Sequence, residues 1–363
     1  MIKLSIITIN YNDIEGLRKT LASVTAQTYA NIEHIIVDGN STDGSVKIIR
    51  EYADDQVKGE RLEAKGTENG CANNENKPTP IYTTLHDSTL QHDSTPIDTT
   101  LHDSTPPKHH VLWVSEPDKG IYNAMNKGIR MATGDYIQIL NSGDILAAAD
   151  VTERMMAALE AQQVKGERLE AKGEENGKAD TPASTPYTLH STPTEASSPY
   201  QNRPAIFYGN MIKVNAAGEI VGKSGYTEYS LRQFYSSTLN HDCAYIRADL
   251  FEEYGLYDEN LKIVSDWKWY LQAIGLGRVK PEYVDIDVTI FDDGGISETN
   301  LELRNKERRQ VLEELLPPAV LWDYDQHAFE VEQVNRLRRW KLYPLVYFME
   351  RVCFKFEKWF CKR

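Results

Sequence analysis

Short apolar runs alternate with segments of helical period along the first half of the chain, and this pattern constrains the fold more than any other feature. Four of the runs have the length of a strand: Leu4–Ile9, Ile32–Val37, Val111–Val114 and Tyr136–Leu140. Between the first two runs, Ile14, Leu17 and Leu21 recur at the spacing typical of an amphipathic helix. This rhythm predicts an α/β fold with a mostly parallel, twisted sheet flanked by helices.

Polar residues follow each of these predicted strands. In parallel sheets, ligands bind outside the carboxyl ends of the strands. We therefore expect one site built from four loops: Asn10–Asp13, Asp38–Asp43, Glu116–Gly120 and Asn141–Asp144. A carboxylate held at the end of a buried strand binds a hard divalent cation well, particularly beside substrate phosphates. Asp38 and Asp144 have this position, although Ser-Gly-Asp is also an ordinary turn whose aspartate is solvated.

One sequence of ten residues occurs twice, because Val57–Gly66 recurs identically as Val164–Gly173. Each copy leads into a stretch rich in Thr, Ser, Pro and His, and only seven of the 53 residues from 57 to 109 are Leu, Ile, Val or Phe. Such segments bury too little apolar surface to offset the entropy lost on ordering. We predict a domain over 1–300, interrupted by inserts at about 56–109 and 164–203 that are disordered or weakly helical at the start. A helical region over 301–363 follows.

The composition excludes several classes of protein. The chain of 363 residues has 40 Lys and Arg against 54 Asp and Glu, a net charge of −14, whereas a general nucleic-acid-binding protein needs a basic surface. Four cysteines without a CxxC pair predict neither a zinc site nor a disulfide scaffold. There is no apolar window of the roughly 18 residues that a membrane span requires, and no signal peptide is recognisable. We expect a cytoplasmic protein.

Four motifs carry a resemblance to a known family. In order they are Ser5–Asn10 (SIITIN), Ile35–Ser45 (IIVDGNSTDGS), Ser115–Gly128 (SEPDKGIYNAMNKG) and Ala132–Asp144 (ATGDYIQILNSGD). With the first insert removed, their order and intervals resemble those of the family 2 glycosyltransferases. The resemblance covers about residues 2–160 strongly and 205–300 moderately. It implies a GT-A-type fold, a nucleotide-diphosphate sugar as donor, a divalent metal (Mg²⁺ or Mn²⁺) and inversion at the anomeric carbon.

The resemblance also implies roles for individual residues. Those placed around the donor are Thr8, Asn10, Asp38, Asp43, Asp118, Lys119 and Asn141. Asp144 matches the metal-binding aspartate of the family's Asp-x-Asp type motif. The chain departs from that motif at Asn141 and Gly143, where aspartates are common, so Asp144 is left as the main carboxylate ligand.

A candidate for the general base comes from the second half of the chain. Ser265–Leu271 is predicted to be a helix capped by Ser265, with Asp266 in its first turn. The helix dipole alone favours an acidic residue there, which is the structural alternative. The family has its base in a matching block after a Gly-x-x-Asp-Glu turn, here Gly255–Glu259. The resemblance therefore implies that Asp266 takes the proton from the acceptor.

Further contacts with acceptor or phosphate are predicted for four residues: His241, Trp267, Gly294 and Gly295. Each has an ordinary alternative, namely a structural histidine, core packing of the indole ring, or a plain Gly-Gly turn. Trp269 has the same two interpretations as Trp267.

The end of the chain differs in composition from the rest. Residues 334–363 carry nine Lys or Arg and two Glu among many aromatic residues. A basic, aromatic segment favours the surface of an anionic membrane, and a terminal helix packed on protein is the alternative.

Taken together, these features predict an inverting glycosyltransferase of the hexosyl- or N-acetylhexosaminyl-transferase type. It would move a sugar from a nucleotide-diphosphate sugar, preferably a UDP-sugar, to a glycan or lipid-linked acceptor in cell-surface polysaccharide assembly. The alternatives are a nucleotidyltransferase and a catalytically weak nucleotide-sugar-binding protein. A nucleotidyltransferase usually has a Gly-rich loop after the first strand, and Thr8–Asp13 has none.

Overall fold

Two units make up the described part of the chain. The computed structural model describes residues 1–65, 106–162, 203–215, 217–292, 300–339, 344–345 and 347–349. The first unit is Met1–Leu301, and the second is Glu302–Arg363.

Four parallel strands form the N-terminal half of the sheet: β1 (Leu4–Asn10), β2 (Ile32–Asp38), β3 (His110–Ser115) and β4 (Tyr136–Asn141). Their spatial order is β3-β2-β1-β4, so β1 has a neighbour on each side, and all seven of its residues are buried. Three helices connect them: α1 (Ile14–Thr25), α2 (Ser45–Lys65) and α3 (Ile121–Met131). This half confirms the predicted parallel α/β arrangement.

Five further strands complete the sheet within the described residues: β5 (Ile145–Leu146), β6 (Ile206–Val214), β7 (Ile220–Lys223), β8 (Ala244–Arg247) and β9 (Pro281–Asp292). The sheet continues from β4 in the order β8-β6-β9-β5, and β7 pairs with β6. β8 is antiparallel to both β4 and β6, whereas β6 and β9 are parallel. The C-terminal half is therefore mixed, and the sheet is parallel throughout only in its N-terminal half.

The remaining helices include four in the first unit: α4 (151–162), α5 (Leu231–Ser236), α6 (Leu250–Glu253) and α7 (Ser265–Tyr270). α7 continues directly into a wider, π-helical segment over Leu271–Leu276. The second unit contains α8 (Leu301–Leu315, whose first residue still belongs to the first unit) and α9 (Pro318–Arg338). None of the helices in the described part of the chain is both long and apolar enough to cross a bilayer.

Apolar residues from both halves form the core. The main cluster joins β1, α4, β6, β8 and β9 through residues that include Leu4, Ile6, Met155, Leu159, Phe207, Tyr245 and Val288. A second cluster joins α1, β2 and α2 through Leu17, Leu21, Ile36 and Ile49. Full burial of one such side chain contributes about 1.5–3 kcal/mol, so the two clusters supply most of the driving force for this arrangement.

Two polar side chains are buried among these apolar residues at β2. Glu33 is 1% exposed and accepts hydrogen bonds from Lys3 Nζ at 2.9 Å, Ser5 Oγ at 2.8 Å and Thr133 N at 2.9 Å. Burial alone would raise the pKa of Glu33, but these bonds outweigh it and lower the pKa to about 2. Glu33 therefore ties β1, β2 and the segment before β4 together as a carboxylate.

His34 is the residue after Glu33 in β2, and it is fully buried. Its Nε2 is 2.9 Å from Thr8 Oγ1, and its Nδ1 is 3.0 Å from the hydroxyl of Tyr52. Burial and the neighbouring His109 lower the pKa of His34 to about 3, so the imidazole is neutral in the folded chain.

Three local details differ from or refine the sequence-based expectations. α2 is predicted to end near Tyr52 but extends to Lys65, so it includes most of the first copy of the repeated sequence. Asp13 caps α1 by accepting from Gly16 N at 3.0 Å. Ser265 does not cap α7: the cap position is Val264, whose side chain makes no capping hydrogen bond.

Candidate active site

The carboxyl ends of the parallel strands meet in register. Asn10 pairs with Asp38 across β1 and β2, Asp38 pairs with Ser115 across β2 and β3, and Asn141 pairs with Ile9 across β4 and β1. The polar loops that follow these strands therefore lie along one edge of the sheet.

Asp38 is the centre of a hydrogen-bond network at this edge. Its side chain accepts from Asn10 Nδ2 at 2.8 Å, Ser41 N at 3.0 Å and Ser115 Oγ at 2.6 Å. Asn10 in turn accepts from Ser142 Oγ at 2.8 Å. Burial would raise the pKa of Asp38, but the bonds from Ser115, Ser41 and Asn10 lower it below its usual range. The result is an ionised carboxylate fixed at the junction of the strand ends.

Two of the residues predicted to bind the donor are engaged in structural contacts. Asp43 accepts from Ile14 N at 2.8 Å and from Ser45 N at 3.0 Å, so it joins the starts of α1 and α2. Thr8 is fully buried and its hydroxyl is bonded to His34. Their roles in donor binding stay predictions, and these contacts account for both residue types without a donor.

Asp118 lies against the end of β2 because residue 39 has no side chain. A Cβ atom at Gly39 would lie 2.5 Å from Asp118 Oδ2 and 3.0 Å from the ring of Tyr11. The other oxygen of Asp118 accepts from Gly120 N at 2.9 Å. The neighbouring Lys119 is exposed. The structure thus brings Asp118 and Lys119 to the same edge as Asp38.

Asp144 is held by the turn that follows β4. Its Oδ2 accepts from Asn141 N at 2.7 Å, and its backbone oxygen accepts from Thr20 Oγ1 at 2.8 Å. Gly143 has a φ of 101°, a conformation that glycine adopts without strain. Asp144 is 5% exposed, and burial together with the charge of Asp242 raises its pKa to about 7, although His241 opposes the shift.

These residues fit a hard cation only in part. A cation would favour the ionised form of Asp144, whose pKa is raised by burial and by the charge of Asp242. No cluster of three His, Cys, Asp or Glu residues suited to a metal ion occurs in the part of the chain that the structure describes. Oxygen ligands suit Mg²⁺ or Mn²⁺, and an ion at Asp144 would need further ligands such as phosphate oxygens.

Asp266 lies in the first turn of α7 and is held from two sides. Its Oδ1 accepts from the hydroxyl of Tyr122 at 2.8 Å, and its Oδ2 lies 3.5 Å from His241 Nδ1. Burial would raise the pKa of Asp266, but the contacts with His241 and Tyr122 lower it below its usual range. Its side chain remains 16% exposed, so an ionised carboxylate is accessible from outside.

His241 connects the two candidate carboxylates. Its Nε2 lies 3.0 Å from Asn141 Nδ2, while its Nδ1 faces Asp266. Burial would lower the pKa of His241, but Asp266, Asp242 and Asp144 raise it to about 9. The amide of Asn141 can turn either its nitrogen or its oxygen to the ring, so it accommodates both protonation states of the imidazole. A continuous series of contacts thus runs from Asp144 through Asn141 and His241 to Asp266.

The predicted stacking of tryptophan on a sugar does not fit the structure. Trp267 and Trp269 are each 1% exposed, and the indole nitrogen of Trp267 donates to Phe234 O at 2.9 Å. Trp267 is therefore a core residue, which corrects its assignment to the acceptor. Gly294 and Gly295 lie outside the described residues.

Sequence reasoning missed Tyr122 and Asp242. Tyr122 lies within the motif Ser115–Gly128, but only the fold shows that it reaches a residue of α7. Asp242 is 3% exposed and accepts from Thr289 Oγ1 at 2.6 Å on β9. In the sequence, Asp242 is recognisable as a candidate by its position directly after His241.

The parallel strand ends, the fixed Asp38 and the two carboxylates linked by His241 define an α/β protein with a polar ligand site at the carboxyl edge of its sheet. The family model described as Glycosyl transferase family 2 matches residues 5–74 and 100–255, more than half of the chain. The chain belongs to this family, and its architecture agrees with the GT-A-type fold that the sequence predicts.

Several known proteins are similar to this chain. The uncharacterized glycosyltransferase Rv1514c of Mycobacterium tuberculosis is 31% identical over 156 residues, which are 43% of this chain and 39% of that protein. The match thus spans about two fifths of the relative's length. The PGL/p-HBAD biosynthesis glycosyltransferase Rv2957 of the same species is 22% identical over 296 residues, covering 81% of this chain and 79% of the relative.

Solved structures are also similar to it. The crystal structure of S. aureus TarS 1-349 in complex with UDP-GlcNAc gives a TM-score of 0.49 at 13% identity, covering 85% of this chain and 64% of that one.

Proposed function

We propose that the protein is an inverting glycosyltransferase that moves a sugar from a nucleotide-diphosphate sugar, preferably a UDP-sugar, to a hydroxyl of a glycan or lipid-linked acceptor. The observation that carries this proposal is the series of contacts from Asp144 to Asp266. It gives one site two carboxylates in opposite electrostatic environments. Membership of glycosyl transferase family 2 supports the reaction class.

Asp266 acts as the general base in this proposal. It is ionised, partly exposed and held by Tyr122 and His241. As the acceptor oxygen forms its bond to the anomeric carbon, its proton passes to Asp266. The bond between that carbon and the diphosphate oxygen breaks from the opposite face, so the configuration inverts and a nucleoside diphosphate leaves.

The residues at the ends of β1, β2 and β4 hold the donor in this proposal. Asp38 and Asn10 present fixed polar atoms to the nucleoside, and Asp118 and Lys119 lie where the diphosphate or sugar would be bound. A divalent cation held by Asp144 would supply positive charge for the departing diphosphate. Asn141 connects this end of the site to His241.

The test is release of nucleoside diphosphate. The protein is incubated with Mn²⁺ and a panel of nucleotide sugars, and the released diphosphate is measured. Asp144→Asn and Asp266→Asn should each abolish release. Asp150→Asn is the matched control, because this aspartate is 54% exposed and forms an ion pair with Arg154 four residues away, so it should retain activity.

Two outcomes would contradict the proposal in different ways. Normal activity of Asp266→Asn would remove this residue from the base role. Tight binding of a nucleotide sugar without release of diphosphate under any condition would indicate a catalytically weak nucleotide-sugar-binding protein instead.

We further infer that the enzyme acts on cell-surface glycans at the inner face of the cell membrane. The name of the relative Rv2957 refers to PGL biosynthesis. In the described part of the basic end, Leu345, Tyr347, Phe348 and Met349 are 46–64% exposed. Deleting residues 334–363, or replacing Leu345 and Phe348 by Asp, should move the protein from the membrane fraction to the soluble fraction. No change in either variant would reject the membrane contact.

A further inference from the structure

Tyr122 connects the donor-side motif to the proposed base. It lies near the start of α3, within Ser115–Gly128, and is 4% exposed. Its hydroxyl donates to Asp266 Oδ1 at 2.8 Å, across 144 residues of sequence. No other contact between side chains of α3 and the carboxylate of Asp266 occurs among the described hydrogen bonds.

The direction of this hydrogen bond is fixed by the two groups. Burial and the charge of Asp266 raise the pKa of Tyr122 well above its ordinary value, so the phenol keeps its proton. Asp266 is ionised, because its contacts with His241 and Tyr122 outweigh its burial. A protonated phenol therefore donates to a carboxylate, which is a strong, charge-assisted hydrogen bond.

α7 itself gives the carboxylate of Asp266 one contact, a hydrogen bond from the backbone N–H of Trp267. The helix is six residues long and has no side-chain cap. α3 supplies external support, because Asn126 Nδ2 donates to Tyr257 O at 2.9 Å and Asn126 Oδ1 accepts from Tyr257 N at 3.0 Å. Asn123 also donates to Glu259 at 2.7 Å. The turn before α7 is thus fixed to the helix that carries Tyr122.

We propose that Tyr122 is a positioning residue, which holds one oxygen of Asp266 so that the carboxylate presents its remaining lone pairs to the acceptor hydroxyl. This inference rests on the base role of Asp266 in the proposed function. A carboxylate offers about four lone-pair sites, so the bond to Tyr122 leaves room for the substrate.

Other ionisable groups also face Asp266. His241 approaches from the loop before β8, with Asp144 and Asp242 beyond it. The charge of Asp266 also raises the pKa of the hydroxyls of Tyr257 and Tyr270, which are buried nearby. The Tyr257 hydroxyl is buried without a hydrogen-bond partner among the described residues, and its ring lies 5.8 Å from that of Tyr122. Tyr257→Phe therefore removes a neighbouring hydroxyl without removing a bond, and it is the matched control.

The first experiment measures the contact without relying on turnover. In protein with ¹³C-labelled aspartate carboxyl groups, the NMR signal of Asp266 is assigned by its loss in Asp266→Asn and is followed against pH. Tyr122→Phe should raise the midpoint of this titration, because the ionised form loses a donor, and Tyr257→Phe should leave it unchanged. Should Tyr122→Phe fail to fold, 3-fluorotyrosine at position 122 keeps the packing and, as a stronger donor, should lower the midpoint.

The second experiment measures catalysis. Tyr122→Phe should lower kcat about tenfold with little change in the KM for the donor, and should move the acidic limb of the kcat/KM profile to higher pH. A purely structural role would lower the active fraction without moving this limb.

The two experiments separate the two ideas. If Tyr122→Phe moves the Asp266 midpoint but the wild type releases no diphosphate, the proposed function is wrong and the contact between Tyr122 and Asp266 is retained. An active wild type whose NMR midpoint and pH profile both coincide with those of Tyr122→Phe would overturn the positioning role.

Discussion

The two halves of the sheet hold their site residues in different ways. In the N-terminal half, Asp38 and Asn141 are placed by the register of parallel strands, so position along a strand is enough to bring them together. In the C-terminal half, Asp266 lies on a short helix and is placed by side chains that reach it from other elements, Tyr122 and His241. Strand register fixes the positions of Asp38 and Asn141, and long-range contacts fix the position of Asp266.

The same difference appears in the two candidate catalytic carboxylates. Both lie in the interior near His241, yet the pKa of Asp144 is raised and that of Asp266 is lowered. Asp144 faces Asp242 and, among the described residues, accepts a backbone hydrogen bond from Asn141, whereas Asp266 accepts from the hydroxyl of Tyr122 and faces the imidazole directly. Burial raises the pKa of Asp144, whereas at Asp266 the contacts with His241 and Tyr122 outweigh the effect of burial.

The largest expected effect is acid destabilisation that begins in the N-terminal half. The folded pKa of His34 is lowered from 6.5 to about 3, and that of Glu33 from 4.5 to about 2. As the pH falls, the unfolded chain binds a proton at each group before the folded chain does. The stability that each group contributes is therefore complete at pH values above its pKa in the unfolded chain. It is lost from pH 6.5 down to about 3 for His34 and from pH 4.5 down to about 2 for Glu33.

Once the whole window is crossed, the contribution is on the order of 5 kcal/mol for His34 and about 3 kcal/mol for Glu33. Urea unfolding at several pH values measures this loss, and hydrogen exchange should show the amides of β1 and β2 opening before those of β8. His34→Gln should have a flatter curve of unfolding free energy against pH between 6.5 and 4.5. An equal slope in this variant and in the wild type would contradict the assignment.

The second effect comes from removing the hydrogen bonds that join α3 to the turn before α7. Asn126 is 1% exposed, and replacing it by Ala leaves the backbone groups of Tyr257 without their partner. We expect Asn126→Ala to lose about 3 kcal/mol of unfolding free energy and to lower kcat more than it weakens donor binding. Asn123→Ala, which loses the bond to Glu259 and the bond from Lys119 N at a half-exposed position, should cost about 1 kcal/mol. Thermal unfolding and steady-state kinetics would measure both, and equal losses would count against the special role of Asn126.

The smallest effect is confined to the proposed donor side of the site. In Gly39→Ala the new methyl group would displace the carboxylate of Asp118, which lies 2.5 Å from its position. We expect the KM for the donor to rise about tenfold with little change in stability, since a displaced charge-assisted contact is worth roughly 1.5 kcal/mol. Gly218→Ala is a useful comparison, because nothing lies within 4 Å of a Cβ at that position and any cost there reflects only its φ of 78°. A rise in KM in both variants would show that the contact with Asp118 is not the cause.

Local patterns predict the N-terminal half well, because its strands are buried runs of short length and its loops are polar. They also place Asp144 and Asp266 at the end of a strand and the start of a helix. Local patterns do not predict the contact of Tyr122 with Asp266, because it joins positions 144 residues apart. Thr8 shows the same limit. The sequence does not tell whether a polar side chain in a central strand faces a ligand or a partner within the protein, and the partner of Thr8 is His34.

Some misassignments have a local cause. Trp267 lies next to Asp266, and sequence alone does not tell an indole that faces a sugar from one that donates to a backbone oxygen in the core. The length of α2 was underestimated because the repeated sequence is rich in charged residues. Such residues are compatible with a helix, and the backbone remains helical to Lys65.

The extension of α2 through the first copy of the repeated sequence has a practical consequence. In a parallel strand–helix–strand unit, the C-terminal end of the helix is at the opposite edge of the sheet from the ends of the strands, and β3 takes its register from β2. A fluorescent label, an affinity tag or a surface tether attached at the C-terminal end of α2 would therefore be remote from Asp38 and Asp144. This junction offers a place to immobilise or visualise the protein while turnover is being measured.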